Sequence, residues 1–166
     1  MKITYKDFLN IIATLNLPKI LEDIYENRDI PLNLDWRFSS VKIVYEWKEE
    51  NQEIYTKSGV IIPLWSNYNF SVITAYDTKQ NRFLDIDTEE PDLYLDTYQT
   101  WGELVFSKFA EIARDDDYSI NEIISLSKYF DLSSADILIQ FLKRSKDMNY
   151  SEYELAMKNT RVNLNA

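Results

Sequence analysis

Three apolar runs joined by short polar links, between Gly59 and Asp87, constrain this chain more than any other feature. Gly59-Val60-Ile61-Ile62-Pro63-Leu64-Trp65 is followed by Phe70-Ser71-Val72-Ile73-Thr74-Ala75-Tyr76-Asp77 and then by Arg82-Phe83-Leu84-Asp85-Ile86-Asp87. Short runs rich in Ile, Val and aromatic residues and bounded by turn residues read as strands. The link Asp77-Thr78-Lys79-Gln80-Asn81 has turn chemistry, because Asp and Asn bond their own backbone and tolerate left-handed dihedrals. Strands that follow one another this closely pair antiparallel, since a parallel pair needs a long crossover. Upstream, Val41, Ile43, Tyr45 and Trp47 alternate with Lys42, Glu46 and Lys48. That alternation predicts a further half-buried strand over 41–47, with 53–57 as its candidate hairpin partner after a polar turn. The expected sheet is an antiparallel β-meander of four to five strands, built from 41–47, 60–65, 70–76 and 82–86.

Helices are predicted on either side. Thr4 can cap a helix running to residue 15, with Asp7 in its first turn. Pro18 suits the opening of a second, whose stripe is Ile20, Leu21, Ile24 and Tyr25. After an acidic connection, Thr100 caps a helix with Leu104, Val105, Phe109 and Ile112 on one face. Ser119 and Glu122 form a capping box for 120–130. Ser133 or Ser134 caps 135–144, and Asn149 or Ser151 starts a last helix through 157, with 163–166 expected to fray. The fold class is therefore α+β: a single domain over 1–166 with helices packed on one face of the sheet. Its core spans about 17–113, a weak boundary falls at 115–118, and a helical C-terminal extension covers about 118–160.

The residue inventory removes most reaction chemistry. The chain has no cysteine and no histidine, and its only glycines are Gly59 and Gly102. A Ser–His–Asp triad, a thiol nucleophile and a zinc–thiolate site are impossible, and glycine-rich phosphate loops are absent. Asp115-Asp116-Asp117 lacks the glycine and glutamate positions of a calcium loop. Asp85 and Asp87 lie on one face of a strand and their spacing would fit glycoside chemistry, although every strand end with two acids passes so loose a filter. No catalytic residue, cofactor or metal is expected. The N-terminus shows no secretory pattern and the apolar runs are too short to span a bilayer, so the cytoplasm is the expected compartment.

Charge points to a partner. Against 18 Lys and Arg stand 28 Asp and Glu, a net charge of −10. Eleven of these acids fall between Asp85 and Asp117, opposed only by Lys108 and Arg114. Repulsion disfavours nucleic acid and anionic membranes, and a basic protein is favoured. The plain alternative is a solvated face that keeps the protein soluble. Trp36, Trp47, Trp65 and Trp101 read as core or half-buried residues. Tyr68, Tyr94 and Tyr98 sit in or beside polar loops, where tyrosine suits an interface. The predicted partner-binding surface is Glu89, Glu90, Asp92, Asp115, Asp116 and Asp117, with Tyr94 and Tyr98.

Four segments resemble the SUKH superfamily, the Smi/Knr-type proteins. Leu17-Pro18 opening a helix with Ile24-Tyr25 toward its end is similar to the family's early Leu-Pro helix. Gly59 to Trp65 is similar to its apolar strand, and Phe70 to Asp77 followed by Arg82 to Asp87 to its central hairpin. Thr100-Trp101-Gly102-Glu103-Leu104 resembles the start of its closing helix. The likeness covers about 17–113; Asn67-Tyr68-Asn69 replaces a glycine and aspartate often found before the central strand. It implies a cytoplasmic bacterial immunity protein that binds and neutralises a polymorphic toxin, commonly a nuclease, with no shared catalytic residues. An acidic inhibitor suits a basic, phosphate-binding toxin. The alternatives are a carboxylate-based enzyme acting on a neutral substrate such as a carbohydrate, and a non-catalytic regulatory scaffold. The oligomeric state is left open.

Overall fold

Each turn of the sheet is made by a side chain that bonds its own backbone. In the computed structural model, the Asp77 carboxylate accepts from the amides of Lys79 (2.9 Å) and Gln80 (3.1 Å), and Asn81 takes φ +52°. Asx geometry of this kind reverses the chain, so β2 (Val72–Asp77) returns as β3 (Arg82–Asp87). With β1 (Ile61–Ser66) and β4 (Tyr94–Tyr98) they form one sheet in the order β1-β2-β3-β4, antiparallel throughout. The structure describes all residues except 1, 29, 58, 92, 93, 117, 165 and 166, and the backbone alone at 32, 33, 35 and 162.

The protein is α+β, as its sequence predicts, with the meander preceded and followed by helices. It divides into two compact units, Met1–Tyr98 and Gln99–Ala166. The break falls at Tyr98/Gln99 rather than at 115–118, so the helix expected to close the core belongs to the helical unit.

In the sheet unit, α1 (Tyr5–Thr14) begins with the predicted reciprocal Thr4–Asp7 capping box. α2 (Ile20–Tyr25) buries Ile20, Leu21, Ile24 and Tyr25, and both helices pack against β1. The segment predicted as a strand over 41–47 is instead helix α3 (Lys42–Glu46). Its buried residues are Val41, Val44 and Tyr45, while Ile43 is 48% exposed. That is an i, i+3, i+4 stripe, and in so short a window it coexists with alternation. Tertiary bonds decide the matter: Ser40 Oγ accepts from the Lys42 amide, and the Tyr45 hydroxyl donates to Pro63 O. Tyr25 then stacks on Tyr5 (4.4 Å) and meets Tyr45 edge-on (5.7 Å). The expected hairpin partner at 53–57 is likewise absent as a strand; Glu49–Tyr55 forms a 3-10 helix. Gln52, read as a turn residue, is fully buried and clamps the N-terminal segment. Its amide nitrogen donates to Val44 O and Ile3 O, and its oxygen accepts from the Ile3 amide. The meander thus has four strands, its fourth being β4, a stretch expected to be an acidic connection.

Asp85 explains how β4 is held. This residue is 4% exposed, and a buried carboxylate is costly unless hydrogen-bonded. Thr74 Oγ1, directly opposite on β2, donates to it at 2.6 Å. The Tyr98 hydroxyl, on β4, donates at 2.7 Å. One carboxylate therefore links three strands.

The helical unit consists of α4 (Trp101–Asp115), α5 (Ile120–Ser127), α6 (Ala135–Ser145) and α7 (Tyr150–Asn163). Thr100 caps α4, and Ser119 with Glu122 forms the predicted capping box of α5. Asn149 and Glu152 exchange amide bonds at the start of α7, which runs past the predicted end at 157. Phe106, Phe109, Phe130, Phe141 and Tyr153 meet edge-to-face in its core. Glu103 on α4 pairs with Arg161 on α7 at 3.1 Å.

Replacing Tyr98 by Phe removes one donor from Asp85 without changing the packed volume. Urea denaturation is expected to show a loss of about 1–3 kcal/mol. An unchanged midpoint would contradict the linking role of the carboxylate.

Candidate functional site

Thr88 brings two turns together at one end of the sheet. Its amide donates to Ser71 O at 3.0 Å, and its hydroxyl donates to Phe70 O at 2.8 Å. The β1–β2 turn is thereby pinned beside the segment that leaves β3. In that turn Phe70 takes φ +59°, a left-handed conformation that costs a bulky residue roughly 1–3 kcal/mol. Neighbouring side chains compensate. Asn67 accepts from the Val72 amide (3.1 Å) and donates to Ser71 Oγ (2.9 Å), while Asn69 accepts from the Ser71 hydroxyl (2.9 Å).

The same end carries acids and aromatics. Glu89 and Glu90 are exposed, their amides directed toward Asp87 Oδ1 at 2.9 and 3.4 Å. Tyr68 is 78% exposed and its amide donates to Trp36 O. Trp36, expected to be core or half-buried, is itself 41% exposed, with the Arg37 guanidinium 4.2 Å from its ring centroid. Beside Phe70 lies an apolar hollow of about 380 Å³ walled by Ile43, Trp47, Ile54 and Tyr55. Tyr55 is fully buried, and its hydroxyl has no hydrogen-bond partner among the described residues. Burial raises its pKa, so the group stays a neutral donor.

The predicted partner-binding residues do not all share this place. Glu89 and Glu90 stand there. Tyr94 is half-buried on β4, with the Arg82 guanidinium 5.6 Å from its ring centroid. Tyr98 is fully buried on Asp85, so it cannot be the surface anchor expected of it. A strand placed it inside where a loop would have left it in water. Asp115 and Asp116 lie in the helical unit; Asp115 is exposed and bonded to Arg114 at 2.7 Å, and Asp116 is half-buried. Asp92 and Asp117 lie outside the described residues. The Asp85/Asp87 pair is divided between a buried hydrogen-bond link and a turn. Among the described residues no group of three His, Cys, Asp or Glu could hold a metal ion.

Phe70, Ile43 and Ile54 went unnoticed as surface candidates because each reads as a core position in a strand or hairpin. The signal that could have found Phe70 is Asn67-Tyr68-Asn69: two asparagines around an exposed aromatic mark a tight turn that presents side chains. No helix of the described residues is long and apolar enough to cross a membrane. Compared with protein-family models, curated proteins and solved structures, the chain matches none.

A buried hydroxyl without a partner is destabilising. Tyr55→Phe is therefore expected to raise stability by about 1 kcal/mol, read as a higher denaturation midpoint. A loss of stability on that change would mean the hydroxyl is bonded.

Proposed function

We propose that this chain is a toxin-neutralising immunity protein that binds a basic bacterial toxin, most simply a nuclease, through the acidic and aromatic end of its sheet. The observation that carries the reading is the Thr88 clamp, which sets Tyr68, Phe70 and the segment bearing Glu89 and Glu90 side by side. Interfaces draw their energy from a few central aromatics, while charges on the rim steer encounter. Trp36, Tyr68 and Phe70 are of the anchoring type, and the hollow beside Phe70 offers a pocket for an apolar side chain of the toxin. Glu89 and Glu90 are of the steering type. The chain's net charge of −10 favours a basic partner over nucleic acid or an anionic membrane. The resemblance of 17–113 to the SUKH superfamily supports the same reading. In this reading Asp115 and Asp116, in the helical unit, add to the acidic charge that attracts a basic partner.

The two groups should fail differently. The test partner is the product of the neighbouring gene, with binding followed by stopped flow at two ionic strengths. Glu89→Lys with Glu90→Lys is expected to lower the association rate on the order of tenfold at low salt, the loss shrinking as salt screens it. Tyr68→Ala is expected to leave association nearly unchanged and to speed dissociation by about tenfold or more. If neither variant alters binding, the sheet end is not the interface. If the wild-type protein does not bind the toxin, the immunity reading falls.

A further inference from the structure

We propose that the helical unit carries a second binding site, a groove that accepts a short acidic peptide segment bearing an apolar anchor. The inference is independent of the immunity reading. The groove has a volume of about 840 Å³, within the range of ligand sites. Its apolar floor includes Leu142 and Met148, and its walls carry Tyr118, Tyr150 and Tyr153. Three cationic side chains line it, Arg114, Lys143 and Lys146, and among the described residues no carboxylate does. In a chain of net charge −10 this is a local inversion of sign.

The cations are of two kinds. Arg114 is fixed as a wall: its guanidinium bonds Asp115 and Glu154, each at 2.7 Å, and lies 5.2 Å from the ring centroids of both Tyr150 and Tyr153. The hydrogen bond to Asp115 raises its pKa further. Lys143 and Lys146 are exposed and make no ion pair among the described residues. Asp115 and Glu154 are engaged on Arg114 and Glu122 on Ser119, while Asp147, next to Lys146 in the chain, is exposed. Position at the C-terminal end of α6 favours lysine through the helix dipole. The dipole does not account for an apolar floor beside those lysines, nor for Tyr150 standing 68% exposed at the groove.

Together these features specify the occupant. The floor takes one or two aliphatic or aromatic side chains, and the free ammonium groups take flanking carboxylates. A nucleic acid strand fits less well, because polyphosphate binding needs a longer basic track than two lysines and one paired arginine provide.

The test uses the full chain and fluorescence anisotropy. The probe is a fluorescein-labelled peptide in which glutamates alternate with leucine and phenylalanine. Controls replace every glutamate by glutamine or by lysine, and a labelled oligouridylate stands for nucleic acid. The acidic peptide is expected to bind, the glutamine peptide to bind on the order of tenfold more weakly, and the lysine peptide not at all. Lys143→Glu with Lys146→Glu, both exposed and so compatible with folding, is expected to weaken the acidic peptide by about tenfold or more, with circular dichroism unchanged. Tyr150→Ala should also weaken it. Equal binding of acidic and basic peptides, tighter binding of the oligouridylate, or indifference to the double lysine reversal would each overturn the proposal.

Discussion

A carboxylate in the middle of a sheet has to be satisfied, and at Asp85 that requirement shapes the sheet unit. Its two donors come from different strands, Thr74 on β2 and Tyr98 on β4. The second donor is available only if the chain turns back after β3 and pairs again. With Asp85 opposite Asp96 in the register, β4 brings one carboxylate against another, a placement that like-charge pairing disfavours. The Tyr98 hydroxyl helps to offset this by keeping Asp85 fully bonded, and the Asp96 carboxylate accepts from the next amide, Thr97, at 2.7 Å. Once β4 is in place, the segment after β3 must reverse at the same end as the β1–β2 turn. The Thr88 clamp, and the neighbourhood of Glu89, Glu90 and Tyr68, follow from that reversal.

Much of the architecture is legible in the residues, for reasons that are local. Strands β1, β2 and β3 lie where continuous apolar runs bounded by turn chemistry predict them. The capping boxes at Thr4–Asp7 and Ser119–Glu122 form as their spacing requires. What is not legible depends on distant partners. Residues 41–47 satisfy two periodicities at once, and the helix is selected by Tyr45 reaching Pro63 and by Gln52 reaching Val44. β4 is hidden because Asp96 and the acids before it depress strand propensity, while the reason for its pairing sits on Asp85. The candidate site divides in the same way. The acids Glu89 and Glu90 were visible as charge. The inward turn of Tyr98, the exposure of Trp36 and the half-buried place of Phe70 beside the hollow depend on pairing and turn geometry that composition does not carry.

The two units offer partners different chemistry. The sheet unit presents aromatic side chains rimmed by glutamates, held by a turn in which Asn67, Asn69 and Thr88 offset the strain at Phe70. Hydrogen bonds of this kind preorganise a turn, which lowers the ordering cost of association. The helical unit presents tyrosines and lysines over an apolar floor, with Arg114 immobilised by two carboxylates and two rings. A net charge of −10 describes neither surface; local arrangement decides which partner each one suits.

The claim that the Thr88-clamped end of the sheet is the toxin-binding face is tested most directly by hydrogen–deuterium exchange, with and without the neighbouring-gene product. The account predicts slowed amide exchange in 67–71 and 88–91 when the complex forms, with the buried strands unchanged. Protection confined to 118–155, with those two turns exchanging as in the free protein, would contradict it.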